Sequence, residues 1–141
     1  MSILKKAFSL AIVSGILSGC ASLIYEKIYT SSLGADFGKV VTPVGIFVAS
    51  IVGCLLAAVG FWLLQRMVPK YAEIIFNLLF SILTFATIIG PFAMKMPLDM
   101  NSPELLPGMV TPMHFFPALA WFTLRPIFIG HTGPYQKIFA H

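Results

Sequence analysis

Residues 40–64 read VVTPVGIFVASIVGCLLAAVGFWLL, without one charged side chain. A helix rises about 1.5 Å per residue, so a run of this length covers a hydrocarbon core of about 30 Å. Thr42-Pro43 opens it well, because proline in a first helical turn forfeits no intrahelical hydrogen bond. At its other end Phe61-Trp62 precedes Gln65-Arg66, which sets a tryptophan at the depth of the interfacial aromatic belt. This reading decides the fold because it names the solvent: lipid, not water.

Three further runs, 7–25, 72–94 and 109–129, are apolar for a similar length. The chain of 141 residues is 58% hydrophobic and 10% charged, against about 25% charged in soluble proteins. The expectation is an all-α membrane protein, one domain over 1–141, built as a four-transmembrane-helix antiparallel bundle. Between the spans the sequence predicts a polar loop at 26–39 with Gly34 and Gly38, and a tight turn at 66–71 around Pro69. An extended loop is expected at 95–107, which holds Pro97, Pro103 and Pro107. Span 3 should end around Gly90-Pro91. Pro112 and Pro117 near the start of span 4 predict a kink or a loose first turn there. Gly130, Gly133 and Pro134 discourage structure in the tail.

The net charge is +4, yet the nine Lys and Arg lie near span ends and not in a patch, which speaks against a nucleic-acid partner. With the N-terminus inside, Lys5, Lys6, Arg66, Lys70, Arg125 and Lys137 face the cytoplasm, and Lys27, Lys39 and Lys95 face out. The positive-inside rule therefore favours N-in/C-in. The acidic partners are lipid headgroups.

Small residues mark the packing faces. Ala7, Ala11, Gly15 and Gly19 recur every four residues in span 1, with Ser14, Ser18 and Ser22 on the adjoining row. Span 2 repeats the pattern with Gly45, Ala49, Gly53 and Ala57. Residues four apart share a face, and small residues let backbones approach where lipid offers no hydrophobic drive. The two stripes predict a close antiparallel pair, with self-association or another subunit as the other use of a stripe.

Polar rows mark spans 3 and 4. Glu73, Asn77, Ser81 and Thr84 share a face of span 3, and Thr111, His114, Ala118, Trp121 and Arg125 one of span 4. Both rows should point into protein, since an ionisable group facing hydrocarbon costs about 2.5–3.5 kcal/mol. A Glu73–Arg125 ion pair is geometrically open, as is independent snorkelling of both to headgroups.

Little catalytic chemistry is present. His114 is the sole histidine within a span, read either as a proton carrier, haem or metal ligand or as a satisfied structural group. Bis-histidine haem lacks its second ligand, because His131 and His141 fall on the opposite side, so no cofactor is expected. There is no C-x-x-C, and Cys20 and Cys54 differ in depth by roughly 13 Å at ~1.5 Å per residue, too far for a disulfide. No acidic residue sits in span 1, as coupled export of the small-multidrug-exporter kind would require. No phosphate loop, catalytic triad or acidic metal cluster is evident. Leu17-Ser18-Gly19-Cys20 also spells a bacterial lipobox. The apolar run continues through Tyr25, however, so an uncleaved first span is favoured over lipoprotein processing.

The order of features (Thr42-Pro43, Val48-Ala49-Ser50-Ile51-Val52-Gly53, Pro91 closing span 3, Met113-His114 in span 4) resembles a family of four-span bacterial integral membrane proteins of unknown function. The resemblance implies a bacterial inner-membrane location and a four-helix build, and it carries over no catalytic residue. The leading expectation is a non-enzymatic structural or accessory subunit. The alternative is a small transporter or channel-like protein with a polar seam of Asn77, Ser81, Thr84 and His114 between spans 3 and 4. An enzyme using His114 as acid or base is a third reading.

Overall fold

The computed structural model describes residues 2–95 and 102–130. The regular elements among them are helical: α1 (Ile3–Leu33), α2 (Pro43–Met67), α3 (Ala72–Thr87), the short α4 (Ile89–Ala93), a 3-10 turn (Pro103–Leu105) and α5 (Leu106–Phe128). Three segments, α1, α2 and Ala72–Ala93 (α3 with α4), are long and apolar enough to cross a membrane. The 23 residues of α5 match their length, but its internal prolines, His114 and Arg125 dilute its apolar character below theirs.

Two loop expectations are corrected. Residues 26–33 are not loop: α1 runs on to Leu33 and ends at Gly34, whose φ of 63° is a left-handed conformation that suits glycine. The polar residues of this extension find partners beside the helix. Tyr29 donates from its hydroxyl to the Leu105 carbonyl at 2.9 Å, and Thr30 to that of Glu26 at 2.8 Å. Nor is 95–107 extended throughout, because the chain coils at Pro103 and α5 starts at Leu106, with Pro107 in its first turn. Leu106 and Met109 are buried there with Phe37 and Ile46, and that burial rewards an early helix start. Pro97 and Asp99 lie outside the described residues.

Other elements follow the sequence reading. Thr42 caps α2, its hydroxyl accepting the Gly45 N–H at 3.1 Å. The third span breaks at Ile88 because Pro91 has no N–H for the Thr87 carbonyl four residues back. Ile88 turns its N–H to the Phe85 carbonyl at 3.2 Å instead, three residues back. Helix α5 continues through Pro112, Pro117 and Pro126. The carbonyl that Pro112 leaves without a helical donor, Gly108, accepts the Tyr25 hydroxyl at 3.4 Å.

Helix α1 packs chiefly on α2 and α5, and no α1–α3 contact is present among the described residues. A β-carbon on Gly15 would lie 2.8 Å from the Ile51 Cα, and one on Gly19 would lie 2.5 Å from the Phe47 ring. As numbers rise on α1 they fall on α2, so the pair is antiparallel, and its backbones meet at Gly15. One end of the molecule, here proximal, carries the start of α1, the α2–α3 turn and the end of α5. The other, distal, carries the 34–42 link and the start of α5. Apolar clusters fill both: Leu10, Phe61, Phe76 and Trp121 proximally, and Phe37, Leu106, Met109 and Met113 distally.

Helix α3 is the least embedded. Only 17% of its apolar window is buried, against 44% for α1. Phe76 meets Phe61 at 5.3 Å and Trp121 at 5.4 Å proximally, and Phe85 meets Phe115 at 5.2 Å distally. Between these attachments a cleft opens among α2, α3 and α5.

Candidate functional site

The proximal site is electrostatic. Arg125 is 5% exposed, buried by its place in the last turn of α5 opposite the first turn of α3. Its Nη2 lies 3.0 Å from Glu73 Oε2, and its Nη1 donates to Asn77 Oδ1 at 3.2 Å. The guanidinium carbon also sits 4.9 Å from the Phe61 ring centre, a cation–π contact. Of the two sequence readings, snorkelling and pairing, the pair is the one found. A small polar cavity of about 290 Å³ adjoins it, lined by Ser81 and Phe122 as well as the charged pair.

The second site is the cleft, about 740 Å³ in volume. Its walls are mostly apolar, with Leu56, Leu79, Phe80 and Leu83 prominent. Along α2 the row Gly45, Ala49, Gly53 and Ala57, continued by Gly60, forms one wall. This corrects the expectation that the row packs on span 1. Gly45 and Ala49 are exposed, and a β-carbon on Gly53 would meet nothing within 4 Å. The α1 stripe meets Phe47 and Ile51 instead, because side chains of that size fill the hollow that Gly15 and Gly19 leave.

Polar groups gather toward the distal half of the cleft. Thr84, Thr87 and His114 line it, with Ser22 and Ser50. Thr84 donates to the Phe80 carbonyl and Thr87 to that of Thr84, both at 2.8 Å. His114 Nδ1 lies 2.8 Å from the Val110 carbonyl of its own helix. Next to a carbonyl oxygen Nδ1 must carry the proton, so in the neutral ring Nε2 is an acceptor.

The expected face of span 3 is therefore divided. Glu73, Asn77 and Ser81 gather around Arg125, while Thr84 turns to the cleft with His114. Asn77, Ser81, Thr84 and His114 thus line two cavities and do not close one interface. The sequence reading noted Ser22 only on the row beside the span 1 stripe and Ser50 only within the run Val48–Gly53. It missed the bonds from Tyr25 and Tyr29 to α5 and the turn before it, for which the four-residue spacing of two tyrosines ahead of a Gly-Pro-rich helix start was the available signal.

Cys20 is exposed and Cys54 buried, and both are free thiols. Helix α1 runs unbroken through Leu17–Cys20, and Ala7, Leu10, Ala11, Ser14, Gly15, Ser18 and Gly19, all ahead of Cys20, are buried. Lipobox cleavage would remove that packing face. Among the described residues no three His, Cys, Asp or Glu side chains are grouped to hold a metal ion. His131 and His141 lie outside the described residues. Comparison with protein-family models, with curated proteins and with solved structures finds no match to this chain.

Proposed function

We propose that the chain is a four-span protein of the bacterial inner membrane, N-in/C-in, that holds a lipophilic molecule in its α2–α3–α5 cleft without covalent chemistry. The cleft carries this reading. Its volume of about 740 Å³ falls in the range of small-molecule sites, roughly 300–1,000 Å³. Its apolar walls with a few polar groups have the composition of such sites. Its lining residues Leu56, Leu79 and Leu83 lie within the helices and are exposed, so it opens on the helix flank, where lipid would enter.

The fourth crossing rests on α5. Its 23 residues reach about 34 Å at 1.5 Å per residue. Its one charge, Arg125, is paired at the proximal end. Buried in that pair, Arg125 no longer counts as a loop charge, and Lys137 lies outside the described residues. Lys5, Lys6, Arg66 and Lys70 at the proximal end against Lys27, Lys39 and Lys95 at the distal end keep the bias toward proximal-side-in.

A second reading is an accessory subunit. The exposure of Gly45 and Ala49 on α2 supports it, because a partner helix could approach that row closely. Native mass spectrometry and lipid extraction of the wild type and Gly53→Leu separate the two. A β-carbon at 53 meets nothing within 4 Å, so a leucine there projects into the cleft and narrows it. Bound lipid in the wild type, reduced severalfold in Gly53→Leu, is expected. A stoichiometric protein partner with no retained lipid would replace the first reading by the second.

A further inference from the structure

Building on the cleft reading, we propose that the molecule it takes is a lipid alcohol, an apolar chain ending in an uncharged hydroxyl, with that hydroxyl seated between Ser50 and His114. Two observations specify the head. Ser50 is 6% exposed and lines the cleft, yet its hydroxyl forms no hydrogen bond to another described residue. The hydroxyl oxygen is not among the fully enclosed side-chain atoms that lack a partner, so it reaches the open cleft and stands ready to donate. With Nδ1 committed to the Val110 carbonyl, His114 offers Nε2 as an acceptor. The set therefore needs one group that accepts from serine and donates to the imidazole. A hydroxyl does both, whereas a ketone or ester oxygen only accepts.

The charge of the walls excludes the commoner lipid heads. Among the described residues no Lys, Arg, Asp or Glu lines the cleft. A phosphate, carboxylate or ammonium would enter without a counter-charge and bear its full desolvation cost. Register places Ser50, Thr84 and His114 at a similar depth. Phe61 lies beside Trp121 and Arg125, which brings Ser50 level with the turn of α5 that holds His114. Phe85 against Phe115 does the same for Thr84.

The size of the cleft favours a chain over a helix. A helix about 10 Å across and 30 Å long displaces roughly 2,400 Å³, well over the 740 Å³ present. From the polar group the cleft runs proximally to Leu64 and Phe76. That is 14 residues of α2 beyond Ser50, about 21 Å, enough for a long hydrocarbon tail.

Four probes with the same chain test this on the full-length protein in detergent: oleyl alcohol, methyl oleate, oleate and oleylamine, with Kd read by native mass spectrometry. Oleyl alcohol should bind the wild type about fivefold or more tighter than methyl oleate, the equivalent of one net hydrogen bond, and tighter still than the charged probes. His114→Phe should bring the alcohol close to the ester while leaving the ester's own Kd within about twofold, and Ser50→Ala, which removes a donor that both oxygens can use, should weaken the two together. Equal binding of all four probes, or preference for a charged one, lost in Gly53→Leu, would overturn the head assignment and keep the cleft. Binding of no probe, or binding indifferent to Gly53→Leu, would overturn the cleft reading itself.

Discussion

Glu73 and Arg125 stand 3.0 Å apart across the first turn of α3 and the last turn of α5, and they are the charged link between two helices that otherwise touch mainly through aromatic rings. Arg125 is nearly buried, so losing its partner leaves a charge in an apolar setting. Glu73→Gln should lower stability by about 1–3 kcal/mol and Arg125→Leu by about 2–4 kcal/mol, as for buried pairs that lose one member. The double variant Glu73→Leu/Arg125→Leu should be less destabilised than the sum of the single Leu variants. Thermal unfolding in detergent measures all of them, and strict additivity would show that the pair does not couple the helices.

The α1–α2 contact makes a sharper prediction about glycine. Gly15→Ala directs a methyl at the Ile51 backbone, which cannot rotate away. A loss of about 1–3 kcal/mol is expected from overpacking. Gly53→Ala, on the other side of the same α2 helix and facing open space, should be neutral or stabilising by up to about 1 kcal/mol from helix propensity. Equal Tm values for the two alanine variants would contradict the close approach at Gly15.

Gly108 and Tyr29 supply a pair whose effects must interact. A β-carbon at 108 would lie 2.6 Å from the Tyr29 hydroxyl oxygen. Gly108→Ala should destabilise, and Tyr29→Phe alone should cost about 1 kcal/mol through its lost bond to the Leu105 carbonyl. Combined, the two should cost less than their sum, since the phenylalanine removes the atom in conflict. A thermal-shift double-mutant cycle reads this directly, and zero coupling would place Tyr29 elsewhere.

The topology is tested by labelling. In a background of Cys20→Ala and Cys54→Ala, cysteines at Asp36 and Ser102 should react with a membrane-impermeant maleimide from outside, and one at Lys70 only after the membrane is opened. Opposite accessibility of positions 36 and 102 would remove α5 from the set of crossings.

The helical class and the span centres were legible because uninterrupted apolar runs such as 40–64 leave the backbone one way to satisfy itself in lipid. The ends were not. Glu26, Lys27 and Thr30 read as loop by polarity, but Tyr25 and Tyr29 beside them find carbonyl acceptors at Gly108 in α5 and Leu105 in the turn before it, more than seventy residues away. Small-residue spacing named both stripes but not their mates: Gly15 needed a bulky partner, and a second row of glycines facing it would have left a void. The Glu73–Arg125 pair was legible as an option from helix position alone. The cleft was not, since it exists where α3 fails to close on α2 and α5, and a shortfall of contact has no signature in one segment of sequence.

The placement of α1 between α2 and α5 bears on the order of synthesis. Helix α1 is covered on one side by α2, the next of the described helices to emerge, and on the other only by α5. Until the ribosome passes residue 106, the tyrosine-bearing flank of α1 has nothing to bind. That flank of α1 is therefore completed late, after α2 and α3 have already been made.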